Sequence, residues 1–166
     1  MKYYLILLII NPAFFLMNWL NYSDNNLKFS IKYPATWIKQ PNPNIMVFLS
    51  PKENVMDMFQ ENVNVILQNL SRQPMTIEQY TEVTKRQVVD NFGASAIVSL
   101  KNVTIAGETG RELIYNMNYQ GKKLKVKQCW IIKNHNAYLL TYTAEPEQYN
   151  KYENIAVEMT NSFKLL

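Results

Sequence analysis

The chain has 166 residues, 48% of them apolar, which is enough for one domain with a buried hydrophobic core. Lysine and arginine together number 17 against 13 aspartates and glutamates, and the resulting charge of +4 is too small to indicate nucleic-acid binding. A single cysteine and a single histidine exclude an internal disulfide and a zinc site with four Cys and His ligands.

Residues 1–22 have the outline of an export signal or a membrane anchor. They hold one charge, Lys2, and two apolar blocks at 5–10 and 13–17. An Asn-Pro pair between the blocks argues against a continuous spanning helix, and bulky residues occupy the region where a cleavage site of small residues is expected. We predict an uncleaved or atypically cleaved signal, with an ordinary buried helix as the alternative.

The folded domain is predicted to span 27–166, after a polar joint at 23–26. Short apolar runs at 27–33, 45–50 and 62–70 indicate its first three strands, and prolines close the first two. In the first run the apolar residues alternate with lysine and serine, as they do in a half-buried strand.

After the third strand the pattern changes to a helical period. Thr76 and Gln79 fit a capping box at the start of the first helix, and Gly93 fits its C-terminal end. Four further strands, joined by hairpin-length turns, are predicted at 96–105, 112–119, 123–133 and 137–143. A second helix begins near Glu145, with Pro146 in its first turn, and runs nearly to the end of the chain. This order predicts an α+β domain in which an antiparallel sheet of about six to seven strands is flanked by helices.

Several short motifs resemble those of the PsbP-like family, which is named for the extrinsic photosystem II subunit PsbP. The residues that carry them are Phe29, Tyr33, Pro34 and Trp37 in an F-x-I-x-Y-P-x-x-W opening, Asn62 and Val63 in an N-V-x-V strand, and Tyr138 and Tyr142 in the last strand. In their order and spacing the motifs cover residues 27–164.

The resemblance implies an α/β/α sandwich, a fold that a Ran-binding nuclear import factor also uses. It further implies a non-enzymatic accessory protein, such as an extrinsic subunit, an assembly factor or a bacterial envelope protein. The motif residues are expected to be structural. For Trp37 two interpretations stay open, because an aromatic beside a proline turn can form a ligand shelf or plug the end of a sheet.

The densest basic run of the sequence lies in the strand at 123–133. The candidate partner- or membrane-binding residues are Arg111, Lys122, Lys123, Lys125, Lys127 and Lys133. Lys123, Lys125 and Lys127 point to one face of the strand by alternation, and Arg111 and Lys133 are expected nearby through hairpin pairing. Such a stripe suits an acidic partner or anionic lipid headgroups. The alternative is a solvated face that protects a strand from edge-to-edge aggregation.

The remaining reactive side chains form no catalytic pattern. Glu53, Asp57 and Glu61 would share one side of a helix if their segment is helical, and we interpret them as surface acids rather than a metal site. His135 lies in an Asn-His-Asn turn without an orienting partner, and Cys129 is expected to be a packed thiol. We therefore predict no catalytic residue, no metal and no cofactor.

These features predict a non-catalytic accessory protein of the cell envelope that docks to a membrane-associated protein complex. It would be a monomer, extracytoplasmic, and anchored or secreted through residues 1–22, with an anionic lipid surface as a second binding partner and no nucleic-acid partner. The alternative is an intracellular GTPase-binding regulator with the same fold, which requires residues 1–22 to belong to the folded domain. An enzyme ranks below both, because the chain lacks P-loop, G-x-S-x-G, H-E-x-x-H and dinucleotide motifs.

Overall fold

A computed structural model describes residues 17–166 of the chain, so most of the predicted signal or anchor segment lies outside the described residues. The strands are β1 Trp19–Asp24, β2 Phe29–Pro34, β3 Ile38–Asn42, β4 Ile45–Leu49, β5 Asn62–Asn69, β6 Ile97–Ile105, β7 Glu108–Tyr119, β8 Lys122–Lys133, β9 Asn136–Ala144 and β10 Lys164–Leu165. The helices are α1 Ile77–Phe92 and α2 Pro146–Ser162, and a short 3-10 turn, Ala94–Ala96, follows α1.

The strands form two antiparallel sheets. The large sheet has seven strands in the order β3-β4-β5-β9-β8-β7-β6, and the small sheet has three in the order β1-β2-β10. Strands β6 to β9 follow one another as hairpins, while β5 pairs with β9 along its full length and so joins the first half of the chain to the second. The predicted antiparallel sheet of about six to seven strands is confirmed.

Three tight turns set the register of strands β6 to β9. Each contains two residues with positive φ, at 106–107, 120–121 and 134–135. Two-residue turns of this kind match the right-handed twist of the strands that they join. The β7–β8 hairpin is long, and its tip at 119–123 extends past the end of β9 at Ala144.

Apolar side chains on the two faces of the large sheet form two separate cores. On one face α1 packs through Tyr80 and Val88 against a core that contains Trp130. On the other face α2 and the small sheet pack together, and Phe29 of β2 stacks on Phe163 with ring centroids 5.5 Å apart. The layers are therefore α1, the large sheet, and a third layer made of α2 with the small sheet.

The two helices begin and end where the sequence predicts. The Thr76 hydroxyl accepts the N–H of Gln79 at 3.3 Å, and the Gln79 side chain accepts the N–H of Thr76 at 2.9 Å, which completes the capping box. Gly93 ends α1 with a φ of 85° and donates its N–H to the carbonyl of Val89. Pro146 is the first residue of α2, a position where no helical partner for its missing N–H is needed.

The domain begins earlier than the sequence patterns indicate. Because β1 pairs along its whole length with β2, the predicted polar joint at 23–26 and the domain start at Leu27 are corrected to a start at or before Trp19. Strands β3 and β10 are also absent from the sequence prediction. β1 has no fully buried residue, β3 is exposed along its whole length and β10 has only two residues, so none of the three carries a strong alternation of buried and exposed positions.

Candidate functional site: a cleft beside the β7–β8 hairpin

The aromatic motif residues are buried and hold the fold together. Trp37 is 5% exposed, and its ring meets that of Tyr152 edge to face with centroids 5.9 Å apart, so it packs against α2 and forms no ligand shelf. The hydroxyl of Tyr142 donates to the carbonyl of Tyr149 at 2.8 Å, which fixes the corner between β9 and α2. The remaining motif residues are buried or half-buried: Phe29, Tyr33, Pro34, Asn62, Val63 and Tyr138.

Two lysines of the predicted basic stripe, Lys125 and Lys127, face helix α2 rather than open solvent. Lys127 Nζ lies 2.6 Å from Glu153 Oε1 on that helix, and the lysine side chain is only 11% exposed. Lys125 Nζ lies 3.9 Å from the centre of the Tyr149 ring, a cation–π contact. Strand β8 is an interior strand between β7 and β9, so these lysines protect no sheet edge. Lys125 and Lys127 serve contacts within the domain, and the interpretation of a solvated edge face is wrong for both.

Three other basic candidates are dispersed over the molecule in ion pairs. These pairs are Lys122–Glu145 at 3.3 Å, Lys133–Glu108 at 2.6 Å and Arg111–Glu78 at 3.1 Å. Arg111 lies opposite Trp130 in the register, and Trp130 belongs to the core beneath α1. Since opposed residues of antiparallel strands share a face, Arg111 lies on the other side of the sheet from Lys127, and its predicted proximity to the stripe is wrong.

Lys123 differs from these residues because it is exposed and makes no ion pair within residues 17–166. It lies at the edge of an open cleft of about 690 Å³ beside the tip of the β7–β8 hairpin. We call this site the hairpin cleft. It is lined by the apolar residues Phe92, Ala96, Met117, Leu124 and Pro146 and by the polar residues Asn91, Ser95, Asn116, Asn118 and Lys123. By alternation Met117 and Leu124 share the α1 face with Trp130, whereas Asn116, Asn118 and Lys123 share the α2 face with Lys127 and so border the cleft at the rim of the hairpin.

The hairpin cleft forms because α1 ends before the hairpin does. The helix stops at Phe92, whose ring stacks on that of Tyr115 with centroids 6.1 Å apart, and the hairpin continues beyond this contact. Sequence analysis identified Lys123 as a candidate, but it missed the asparagines and Phe92. The cleft depends on where a helix and a hairpin end relative to each other, and no local pattern contains that information.

The lining of the hairpin cleft is suited to binding a peptide segment. Asparagine side chains offer both donors and acceptors to a backbone, and the apolar lining can receive a side chain. The ammonium of Lys123 adds one positive charge at the edge, where it can meet a carboxylate. As partner-binding residues the six basic candidates remain a prediction, and Lys123 is the one whose position suits that role.

The three acidic residues singled out in the sequence do not form a helical row, because residues 50–61 form an irregular loop. Glu53 is bound by Lys151 at 2.5 Å, and Asp57 accepts two backbone N–H groups of its own loop. Glu61 is 1% exposed, so it is not a surface acid, and burial raises the pKa of its carboxyl. Over residues 17–166 no cluster of His, Cys, Asp and Glu has an arrangement that could hold a metal ion.

The cysteine and the histidine lie away from the hairpin cleft. Cys129 is buried, and burial together with the nearby carboxylate of Glu112 raises the pKa of its thiol to about 12. The thiol is therefore protonated at neutral pH, and the interpretation as a packed thiol is confirmed. His135 is exposed in the turn at the other end of β8.

The arrangement of one seven-stranded antiparallel sheet with a helix on each face, completed by a small sheet, is a PsbP-like α+β fold. The chain belongs to the PsbP family, whose sequence model matches residues 18–165. The match begins one residue before β1, in agreement with the corrected start of the domain. Neither helix of the described part of the chain is long and apolar enough to cross a membrane.

Solved structures of bacterial proteins share this fold. Cyanobacterial PsbP (CyanoP) from Synechocystis sp. PCC 6803 matches with a TM-score of 0.65 and 14% identity, over 93% of this chain and 96% of that one. A Pseudomonas aeruginosa protein described as a putative regulator matches with a TM-score of 0.63 and 14% identity, over 87% and 95% of the two chains.

LpqN of Mycobacterium tuberculosis, described as involved in cell envelope biogenesis, is also similar. Its TM-score is 0.62 and its identity 13%, over 82% of each chain. At such identities the likeness concerns the fold alone. A comparison with curated protein sequences found no match.

Proposed function

We propose that this member of the PsbP family is a non-catalytic accessory protein of the cell envelope, which docks to a membrane-associated protein complex through the hairpin cleft. The observation that carries the proposal is the cleft itself, a preformed depression that is lined by apolar residues such as Phe92 and Leu124 and bordered by asparagines and by Lys123, which makes no ion pair within residues 17–166. A partner would place an apolar side chain against Phe92 and Leu124, hydrogen-bond its backbone to the amides, and present a carboxylate to Lys123.

Two further observations support the proposal. The thiol of Cys129 is buried and protonated, and His135 is exposed in a turn, so neither is placed as a nucleophile or a base. LpqN, which has the same fold, is described as involved in cell envelope biogenesis. An extracytoplasmic position, anchored or secreted through the apolar N-terminal residues, is part of the same proposal.

The proposal is tested by affinity purification of the tagged full-length protein from detergent-solubilised membranes of its own organism. In the test variant Met117→Asp is combined with Lys123→Glu, which places negative charge at two positions on the hairpin side of the cleft. We expect recovery of a specific membrane-complex protein with the unchanged chain and a loss on the order of tenfold with the variant, because charging a central apolar contact typically costs more than 1 kcal/mol.

The matched control is Lys164→Glu, which reverses another exposed lysine on β10, away from the hairpin cleft. This control should recover the partner at the level of the unchanged chain. Equal recovery by the cleft variant and the control would contradict docking at the cleft. A circular dichroism spectrum of each variant establishes that the fold is retained.

A further inference from the structure

The loop between β4 and β5, residues 50–61, exposes apolar side chains to an unusual degree. Val55 is 94% exposed, Met58 82% and Met56 79%, which are the three highest values among the large apolar residues of the described chain. Single exposed apolar residues are ordinary on protein surfaces, but three within four positions mark an interaction site.

Hydrogen bonds inside the loop hold these side chains outward. The carboxylate of Asp57 accepts the backbone N–H of Glu53 and of Phe59, both at 3.0 Å, and the side chain of Asn54 accepts the N–H of Met56 at 2.8 Å. The polar side chains thus close the loop from within. The side chains of Val55 and Met58 are almost fully exposed, and Met56, also exposed, borders a depression of about 210 Å³ that Glu53, Asp57, Glu61 and Glu145 line as well.

The loop lies at the end of the molecule where the chain enters the domain. Trp19 pairs with Pro34, a turn closed by the hydrogen bond from the Trp37 N–H to the Pro34 carbonyl leads to Ile38, and Ile38 pairs with Leu49, directly before the loop. Met17, where the described chain begins, therefore lies on the same side of the domain as the exposed loop, and the sequence before it holds one charge, Lys2.

The charges around the loop are largely balanced. Glu53 is paired with Lys151, and Glu145 at the start of α2 is paired with Lys122. Lys52 within the loop is exposed and makes no ion pair in the described part of the chain. Asp57, between Met56 and Met58, makes no ion pair in the described part of the chain, but its carboxylate is held by two backbone N–H groups of the loop. Projecting apolar side chains together with an unpaired lysine suit the interface of a bilayer, where methionine and valine enter the acyl boundary and lysine meets headgroups.

We infer that the β4–β5 loop contacts the lipid bilayer through Val55, Met56 and Met58 and thereby holds the domain with this end against the membrane. Three exposed apolar side chains near the point where the described chain begins, after an apolar N-terminal sequence, favour lipid over a protein partner. The inference rests on the membrane placement in the proposed function and adds the orientation of the domain.

The test uses the full-length protein with Met56→Cys, labelled with an environment-sensitive fluorophore. The native Cys129 is buried and its thiol is protonated, so the fluorophore attaches to the introduced cysteine alone. The protein is reconstituted into vesicles of phosphatidylcholine and phosphatidylglycerol that carry a nitroxide quencher on the acyl chain. The control position is His135→Cys, in the exposed turn at the opposite end of the sheet.

We expect the label at position 56 to be quenched by the acyl-chain nitroxide while the label at position 135 is not. Adding Val55→Ser and Met58→Ser should remove most of the quenching at position 56, and since all three side chains are exposed the fold should be retained. Equal, weak quenching at the two positions, or failure of the protein to float with the vesicles, would overturn the inference.

A label at position 56 that becomes shielded only after membrane proteins are added would also overturn it, in favour of a protein contact. In the quenching experiment itself the vesicles contain no other protein, so its result is independent of the recovery of a partner through the hairpin cleft. If the loop fails to contact lipid but the cleft variant loses its partner, only the orientation is wrong.

Discussion

At the scale of single residues, the buried thiol of Cys129 gives the most direct check of the core. Its pKa is raised to about 12 by burial and by the neighbouring Glu112 carboxylate. We expect the folded protein to react with a thiol reagent at pH 8 only as fast as it unfolds, because both access and the thiolate are lacking. The variant with Met56→Cys carries one exposed thiol, and that thiol should react with the reagent at once. Rapid labelling of the unchanged chain would contradict this packing.

Glu61 provides a prediction about pH. Burial raises the pKa of its carboxyl above the ordinary value, with a smaller contribution from Asp57 and Glu53 and an opposing one from backbone N–H groups. The folded state therefore holds this proton more tightly than the unfolded state. Its contribution to stability is fully present below the ordinary pKa and is lost as the pH rises through the raised pKa of the folded state.

Substituting Glu61→Gln removes this titration. As the pH rises from about 4 to about 7, the unchanged chain loses this contribution to its stability and the variant does not. The free energy of unfolding of the variant, measured with urea relative to the unchanged chain, should therefore increase over this range. The exposed Glu158→Gln is the matched control and should show a smaller dependence. A difference between Glu61→Gln and the unchanged chain that does not vary with pH would show that the carboxyl is not buried as described.

Residue roles were predictable from the sequence where they depend on local pattern, as with the capping pair Thr76 and Gln79. They were not predictable where the role of a residue depends on how a second helix or strand packs against it. Alternation correctly placed Lys125 and Lys127 on one face of their strand, but whether that face meets water or α2 depends on where a helix 20 or so residues later packs. Glu153, which pairs with Lys127, shows no signal for this role in its own surroundings.

At the scale of elements, β1 is the part of the fold that sequence reasoning placed outside the domain. Tyr22 on β1 contacts the ring of Phe48 edge to face with centroids 5.9 Å apart and that of Phe29 at 6.0 Å, and its hydroxyl donates to Asp24 at 2.8 Å. The strand also covers the hydrogen-bonding edge of β2. Without β1, the rings of Phe29 and Phe48 would lose this aromatic contact and the edge of β2 would be open to solvent.

We therefore expect a shortened chain that begins at Leu27 to be less stable than one that begins at Met17. The loss should be about 2 kcal/mol or more in the free energy of unfolding, from the partial burial of Trp19 and Tyr22 alone, and larger if the free edge of β2 promotes aggregation. Urea unfolding followed by tyrosine and tryptophan fluorescence measures the difference. Coincident unfolding curves would contradict a structural role for β1.

The elements that the sequence predicted are those with a buried face. Strand β5 and helix α1 carry regular apolar spacing because each is covered on one side. Strand β3 is exposed along its whole length and contains a proline, and it is a strand because β4 offers it a hydrogen-bonding edge. Local patterns report burial, so a strand that is held by pairing alone leaves little trace in its own sequence.

At the scale of the whole molecule, the two surfaces proposed to bind a protein partner and the bilayer lie at the same end. The β4–β5 loop contacts the start of α2 through the interaction of Lys151 with Glu53, and the hairpin cleft reaches Pro146 at the first residue of that helix. If the loop lies on the bilayer, the cleft lies close to the membrane surface, where a membrane complex would be within reach. The charge of Lys123 would then face a partner and not bulk solvent.

The family resemblance predicted the overall fold because the motif residues form its core, and buried aromatic contacts constrain sequence more than surfaces do. Phe29 and Trp37 pack against α2 or its end in this chain. The hairpin cleft and the β4–β5 loop are surface features, and solved structures at 13 or 14% identity do not fix their side chains. Function had to be inferred from this chain's own geometry.

Site-specific photo-crosslinking in living cells of the source organism tests docking at the hairpin cleft most directly. A photoreactive amino acid replaces Asn118 at the edge of the cleft. In the matched control it replaces Asn134, which is exposed in the turn between β8 and β9, at the opposite end of the large sheet. The account predicts a discrete crosslink to one membrane-complex protein from position 118 and none from position 134. The same crosslinking pattern from both positions, or none from either, would contradict it.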